Sequence, residues 1–262
     1  MLERHSFHPS PETRSASWDR ERAVSALHTP RQNHLLAALP GEDYGRLFPD
    51  LEPVRLPLGR TVHRAGDLEK YLYFLTAGIV SRFCATKNGA SAECALTGSE
   101  GVIGVASFLG GAGTPCGAVV LSAGYAYRVG ADLLKSEFKH GGALSHLLLR
   151  YTQALITQIA QTVACNRHHT VEQQLCRWLL LSLDRLPSNT LTMSQKLIAN
   201  MLGVRREGVT EAAGHLQTAG LIHYHRGHIT VLDRPKLEKR VCECYAVVKK
   251  ETDRLLPDRI AA

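Results

Sequence analysis

The chain has 262 residues, of which 44% are hydrophobic and 21% charged, and its formal net charge is +7. This excludes a disordered or collagen-like chain and provides for one large domain or two small ones. No stretch of about 18 uninterrupted apolar residues occurs, so no membrane-spanning helix is expected.

Residues 1–20 are polar and lack the apolar core of a secretory signal. Seven scattered cysteines, an odd number, fit reduced thiols in a cytoplasm better than a disulfide framework. The basic balance favours an anionic partner. Aromatics make up only 6% of the chain, which gives little support to single-strand stacking. By segment the net charge is 0 for residues 1–30, +3 for 31–167 and +4 for 168–262. The C-terminal third is the most basic per residue.

Residues 1–30 lack hydrophobic periodicity and read as a flexible tail, with a short helix expected from Trp18 to Leu27. His34 to Leu39 and Tyr44 to Leu51 form an αα-like stretch punctuated by Pro40-Gly41 and Pro49. From Leu56 onward, short apolar runs alternate with Gly, Asp and Asn. Tyr71 to Phe74, Ile79 to Ala85, Ser91 to Leu96, Ala118 to Leu121 and Tyr125 to Val129 read as strands. Ala77-Gly78, Lys87-Asn88-Gly89, Thr97-Gly98 and Ala123-Gly124 read as turns between them.

From Ala143 the apolar period becomes helical. Leu148, Leu155 and Thr162 share one face, and Thr152, Ile156, Ile159 and Val163 share another. A helix apolar on two faces packs on two things. These are its own β-domain and a copy of itself in a dimer, or one larger core that surrounds it. Residues 171–186 form a second amphipathic helix, which Pro187-Ser188-Asn189 ends.

Residues 191–232 carry the functional signal. Thr192-x-x-Gln195 has the form of a capping box, which predicts a helix from Met193 to a left-handed C-cap at Gly203. A second helix follows Val204, with Val209, Ala212, Ala213 and Leu216 facing inward and Gly220 closing it. Leu221 to His225, Arg226-Gly227 and His228 to Leu232 read as a hairpin. Helix, tight turn, helix and hairpin make a winged helix-turn-helix. A recognition helix points its N-terminal residues at base edges in the major groove. There Arg206 suits guanine O6 and N7, and Glu207 suits cytosine N4. Gln195, Lys196, Arg205, His215 and Arg226 are placed for phosphates, which position the protein without specifying sequence.

This segment resembles the winged helix of the Crp/Fnr family of bacterial transcription regulators. Gly203-Val204-Arg205-Arg206-Glu207-Gly208-Val209-Thr210 is similar to the family's Gly-x-Ser-Arg-Glu-x-Val recognition run. Arg205 replaces the usual Ser, and Glu211 stands where some members carry a further base-reading Arg. Upstream, Gly59 to Asp67 and Tyr71 to Gly78 resemble the opening of the family's cyclic-nucleotide-binding-type β-roll.

The resemblance implies an α+β fold with an antiparallel N-terminal β-roll at 31–143, a long dimerisation helix at 144–167 and a winged helix-turn-helix at 168–240. A helical tail would follow at 241–262. It also implies a cytoplasmic homodimer seamed by Leu148, Leu155 and Ile159, double-stranded DNA with a near-palindromic operator, and RNA polymerase as a partner.

The effector cassette departs from the family. Cyclic-nucleotide-binding members carry Gly-Glu and then an Arg-Ser-type pair. Here Gly104-Val105 and Pro115-Cys116 stand at those positions, so both charged ligands are gone. The lining offered by Val102, Ile103, Val105, Phe108 and Leu109 suits an uncharged small-molecule effector or none. A cyclic-nucleotide receptor with a non-standard pocket is the nearest alternative. A cupin-like enzyme would need clustered His and acids, yet between residues 56 and 130 the one histidine is His63, and Asp67, Glu69, Glu93 and Glu100 show no ligand spacing. No catalytic residue, cofactor or metal is assigned. Cys84 and Cys94 face each other across a hairpin, as a redox pair or as small buried hydrophobes. Cys242-x-Cys244 is too closely spaced for a zinc knuckle. His223 and His225 share a strand face on the wing, where phosphate contact or plain exposure is favoured over metal.

Overall fold

The computed structural model describes residues 28–111 and 113–256. The helix expected from Trp18 to Leu27 lies outside them. Two short helices, α1 (His34–Ala37) and α2 (Gly41–Leu47), lead into an antiparallel sheet. Its strands are β1 (Glu52–Leu56), β2 (Thr61–His63), β3 (Tyr71–Ala85), β4 (Ser91–Thr97), β5 (Val102–Ile103) and β6 (Gly117–Gly130). Their order is β1-β6-β3-β4, with β2 also on β6 and β5 also on β3. A one-turn helix, α3 (Ala106–Leu109), follows β5, and α4 (Ala131–His140) follows β6.

The sequence divides β3 and β6 into four strands; the structure joins them into two. Ala77-Gly78 and Ala123-Gly124 are not turns. They lie where β3 and β6 bulge against each other. A Cβ on Gly78 would meet the Ser122 carbonyl at 2.5 Å, and one on Gly124 the Ala77 carbonyl at 2.0 Å. Glycine is there for close backbone approach. Lys87-Asn88-Gly89 is the expected hairpin turn, with Gly89 at φ 85° and the Thr86 N–H bonded to the Ala90 carbonyl.

The long helix α5 spans Ala143–His168, and α6 spans Val171–Leu183. Thr170 caps α6 with a capping box to Gln173. One face of α5 completes the roll core: Leu144, Leu147, Leu148, Tyr151 and Leu155 pack with Leu35, Leu36, Leu72, Phe74 and Leu134. This corrects the expected dimer seam. Leu148 and Leu155 are 0% and 7% exposed within their own chain, and Ile159 is half-buried against the same core. The face left open carries Leu149, Ile156 and Val163, at 48%, 55% and 65% exposure.

The C-terminal part is built on a three-stranded sheet in the order β7-β9-β8, from β7 (Thr190–Thr192), β8 (Ile222–His225) and β9 (His228–Val231). Helices α7 (Gln195–Leu202) and α8 (Arg206–Thr218) lie between β7 and β8. Two further helices, α9 (Arg234–Arg240) and α10 (Glu243–Leu255), follow the wing. The last is no free tail: it packs along α5, and Leu255 and Leu256 join the roll core.

The two halves meet at β4. Arg185 Nε pairs with Glu100 at 2.7 Å. The Ser81 hydroxyl donates to Glu93 Oε2 at 2.7 Å and also lies 3.5 Å from Met201 Sδ on α7. Glu93 is buried, and that burial pushes its carboxyl up to about 7 against the pull of Ser81, Arg177 and Arg185.

Candidate nucleic-acid interface

Helix α7 begins two residues later than the sequence predicts. Thr192 is taken up by β7, where it pairs with His228, and the Met193 N–H bonds the Gly227 carbonyl. Ser194 therefore caps the helix, accepting from the Leu197 N–H at 3.3 Å. Gly203 closes it at φ 68°, as expected. After the three-residue turn Gly203-Val204-Arg205, α8 starts at Arg206, with Val209, Ala212, Ala213 and Leu216 buried against α6 and α7. The opposite face of α8 is exposed along Arg206, Glu207, Thr210 and Glu211. At the wing tip Arg226 (φ 46°) and Gly227 (φ 82°) give the double left-handed turn that suits a tight hairpin.

These elements converge. Gln195, Lys196, Arg206 and Arg226 line one depression of about 570 Å³ together with Ser194, Tyr224 and Gly227. Three cations from α7, α8 and the wing thus share one concave surface. Thr210 Oγ1 donates to Gln195 Oε1 at 2.9 Å, tying the two helices across the turn. The Tyr224 hydroxyl donates to the Met193 carbonyl at 2.9 Å, anchoring the wing to the start of α7. Burial raises the phenol's pKa, opposed by nearby Arg206. Sequence reasoning missed Thr210 and Tyr224, because their partners lie on other elements.

Two expected residues lie elsewhere. His215, in the last turn of α8, has Nδ1 at 3.2 Å from Glu172, which also binds Arg240 at 2.6 Å. That acid competes with a phosphate for the imidazole. Arg205 is exposed at the N-cap of α8 and makes no side-chain cap bond.

The effector cassette is also built differently from the expectation. Gly104 is required: at φ 112°, a Cβ would lie 2.4 Å from the Tyr71 carbonyl. Val105 precedes α3 as its N-cap. The Ala106 N–H at the start of α3 donates to Glu69 Oε2 at 2.7 Å. Glu69 Oε1 sits 3.4 Å from His63 Nε2, and both side chains are nearly inaccessible. Burial lowers the His63 pKa despite the neighbouring carboxylate. A fixed carboxylate therefore occupies the backbone donor at the head of the cassette helix.

The adjacent cavity, about 440 Å³, is lined by His63, Asp67, Glu69, Lys70, Tyr71 and Tyr73 among others. It is more polar than the expected lining. Val102, Ile103 and Phe108 are packed into cores, Leu109 is exposed, and Ile103 alone of the five borders this cavity. Sequence reasoning assigned Glu69 no role, because its partner Ala106 lies 37 residues away.

The thiol expectations change as well. Cys116 is joined to Cys84 in a disulfide, so Cys84 is not paired with Cys94 and these thiols are not all free. β3 runs between β4 and β6, which brings a cysteine to Cys84 from each side. Cys94 Sγ lies 3.4 Å from Cys84 Sγ.

Residues 53–140 match the model of the cyclic nucleotide-binding domain, and residues 173–240 match that of the Crp-like helix-turn-helix domain. The chain belongs to the Crp/Fnr family. It is 25% identical over 211 residues to the global nitrogen regulator of Synechococcus elongatus, covering 74% of this chain and 95% of that protein. A transcriptional regulator assigned to the Crp/Fnr family from Eubacterium rectale superposes with a TM-score of 0.64 at 16% identity, covering 78% of this chain and 96% of that one. FixK2 from Bradyrhizobium japonicum gives 0.62 at 17% identity, covering 73% and 98%. The chain is a Crp/Fnr-type transcription regulator with a helix-turn-helix for DNA. Among the described residues, no helix is long and apolar enough to cross a membrane.

Proposed function

We propose that the protein is a non-enzymatic, cytoplasmic homodimer that binds a near-palindromic DNA operator and acts on RNA polymerase. Arg206 and Glu207 read base edges, while Lys196 and Arg226 hold phosphates; Glu211 faces the base pair next along the groove. The observation that carries this is the shared depression of Gln195, Lys196, Arg206 and Arg226 beside the exposed start of α8. Half-sites then lie about 34 Å apart. Operator selection from random DNA supplies the cognate site. On that site Arg206→Ala is expected to cost about 1–3 kcal/mol and to relax preference at one base pair per half-site. Lys196→Ala is expected to weaken cognate and random DNA alike, with a shallower salt slope. Equal loss on every sequence from Arg206→Ala would reduce Arg206 to a phosphate contact.

The roll senses something other than a cyclic nucleotide, through its polar cavity, or serves as a scaffold. The support is Glu69. Its carboxylate already holds the Ala106 N–H, so an entering cyclic phosphate meets a like charge. It would find no replacement cation at Pro115, and desolvating an unpartnered anion is costly. In gel shifts, cyclic AMP and cyclic GMP up to about millimolar should leave operator affinity unchanged, a range where binding is worth only about 4 kcal/mol. A tenfold gain at micromolar nucleotide would overturn this reading.

A further inference from the structure

We propose that Cys165, His169, Cys242 and Cys244 form a tetrahedral site for a single zinc-class divalent ion, tying the end of α5 to the start of α10. Their four ligand atoms all lie within 4.8 Å of one another. Cys165 Sγ is 3.6 Å from Cys242 Sγ, and Cys244 Sγ is 3.6 Å from His169 Nδ1. Zinc–sulfur bonds of about 2.3 Å at tetrahedral angles put two sulfurs about 3.8 Å apart. A disulfide needs about 2.05 Å. The spacing fits ligands around one ion and not a sulfur–sulfur bond.

Each half of the site comes from one element. Cys165 and His169 are one helical turn apart at the C-terminus of α5, on the same side. Cys242 is the extended N-cap of α10, and Cys244 lies in its first turn. Cys-x-Cys alone is too short for a knuckle, but here the remaining ligands arrive from more than 70 residues upstream.

Three features distinguish the cluster from a filler of small apolar side chains. First, the three cysteines are buried and form a cluster of their own, with Val241 as the partly buried apolar side chain against it. Second, the histidine is oriented from both sides: Nδ1 faces Cys244, while Nε2 faces Glu243 Oε1 at 3.4 Å. A carboxylate behind a ligating imidazole is the arrangement that orients metal-bound histidines. Third, three thiolates and a neutral imidazole around a divalent ion carry one net negative charge. A buried cation lies close by: Arg177 Nη1 donates to Thr162 Oγ1 at 3.2 Å, one turn before Cys165. Binding releases the thiol protons to solvent.

The site closes the hinge at His169-Thr170, where α5 ends and the DNA-binding half begins. An ion held there fixes α10 and α6 against α5. It thereby sets the placement of the recognition helices relative to any partner across α5.

The test uses full-length protein with the Cys84–Cys116 disulfide intact, stripped with chelator and titrated with Co²⁺, then Zn²⁺. The expected result is one ion per chain, with intense thiolate-to-cobalt and tetrahedral d–d absorption that Zn²⁺ displaces. Zinc should also raise the thermal midpoint, since it binds the folded state. Cys165→Ser and Cys244→Ser are expected to abolish the bands. Cys94→Ser, in the separate Cys84–Cys94–Cys116 group, should retain them. Glu243 is exposed, so Glu243→Gln should fold normally and bind about tenfold more weakly. Weak octahedral cobalt spectra would overturn the site, as would bands that survive Cys165→Ser and Cys244→Ser, or wild-type affinity in Glu243→Gln.

Discussion

Ile156→Glu combined with Val163→Glu is expected to turn the protein into a monomer that has lost tight operator binding. These side chains are the most exposed large apolar groups on α5, and with Leu149 they recur every seven residues along its open face. A seven-residue repeat is the seam of a helix pair. Burying a large aliphatic side chain stabilises by about 1.5–3 kcal/mol, and a two-fold seam counts each residue twice. Replacing both with carboxylates removes several kcal/mol and sets like charges against each other. A monomer contacts only one half-site, so affinity falls together with dimerisation. Sedimentation velocity and operator titration read both effects. Leu148→Ala makes the contrast: Leu148 faces its own roll core, so this change should lower unfolding stability by about 2–5 kcal/mol. An unchanged dimer in the double-glutamate protein would move the interface off this face.

Glu93→Gln is expected to stabilise the protein at alkaline pH and leave it nearly unaffected in acid. The ordinary carboxyl titrates near 4.5, whereas burial raises Glu93 to about 7. The folded state thus keeps a proton that the unfolded state gives up. The resulting stability is fully present below pH 4.5 and is lost as pH rises through 7. Glutamine has no proton to lose and can still accept from Ser81. The variant should gain roughly 3 kcal/mol on wild type by pH 8, at about 1.4 kcal/mol per pH unit. Urea midpoints at pH 5 and pH 8 give the comparison. His63 titrates in both proteins and cancels in the difference. A pH-independent difference would mean that Glu93 is already ionised when buried. Arg177, Arg185 and Trp178 face this carboxyl, so its ionisation acts where β4 meets the DNA-binding half.

The winged helix was legible because its geometry is written locally. Gly203 marks the left-handed end of α7, Arg226-Gly227 marks the wing turn, and the inward positions of α8 keep helical spacing. Local signals misled at Ala77-Gly78 and Ala123-Gly124. The same dipeptide chemistry marks a turn or a place where two backbones nearly touch, and only the partner strand decides which. The apolar stripes of α5 were visible, but which one the chain covers depends on where α10 and the roll lie. That placed Leu148 in the roll core and left Leu149 exposed. Thr192 lost its capping role to strand pairing with His228. Glu69 left no short-range trace, and Cys242-x-Cys244 showed only half of its cluster, since each joins segments far apart in sequence.

Leu255 and Leu256 pack in the same core as Leu35 and Leu36. The first helices of the roll therefore share their interior with residues the ribosome adds more than two hundred codons later. At about 5–20 residues per second, that interval lasts on the order of tens of seconds. Through this time the nascent roll carries an unsealed apolar flank. Vectorial folding here cannot finish the sensor first and the DNA-binding half second, because a segment that follows the DNA-binding half seals the roll.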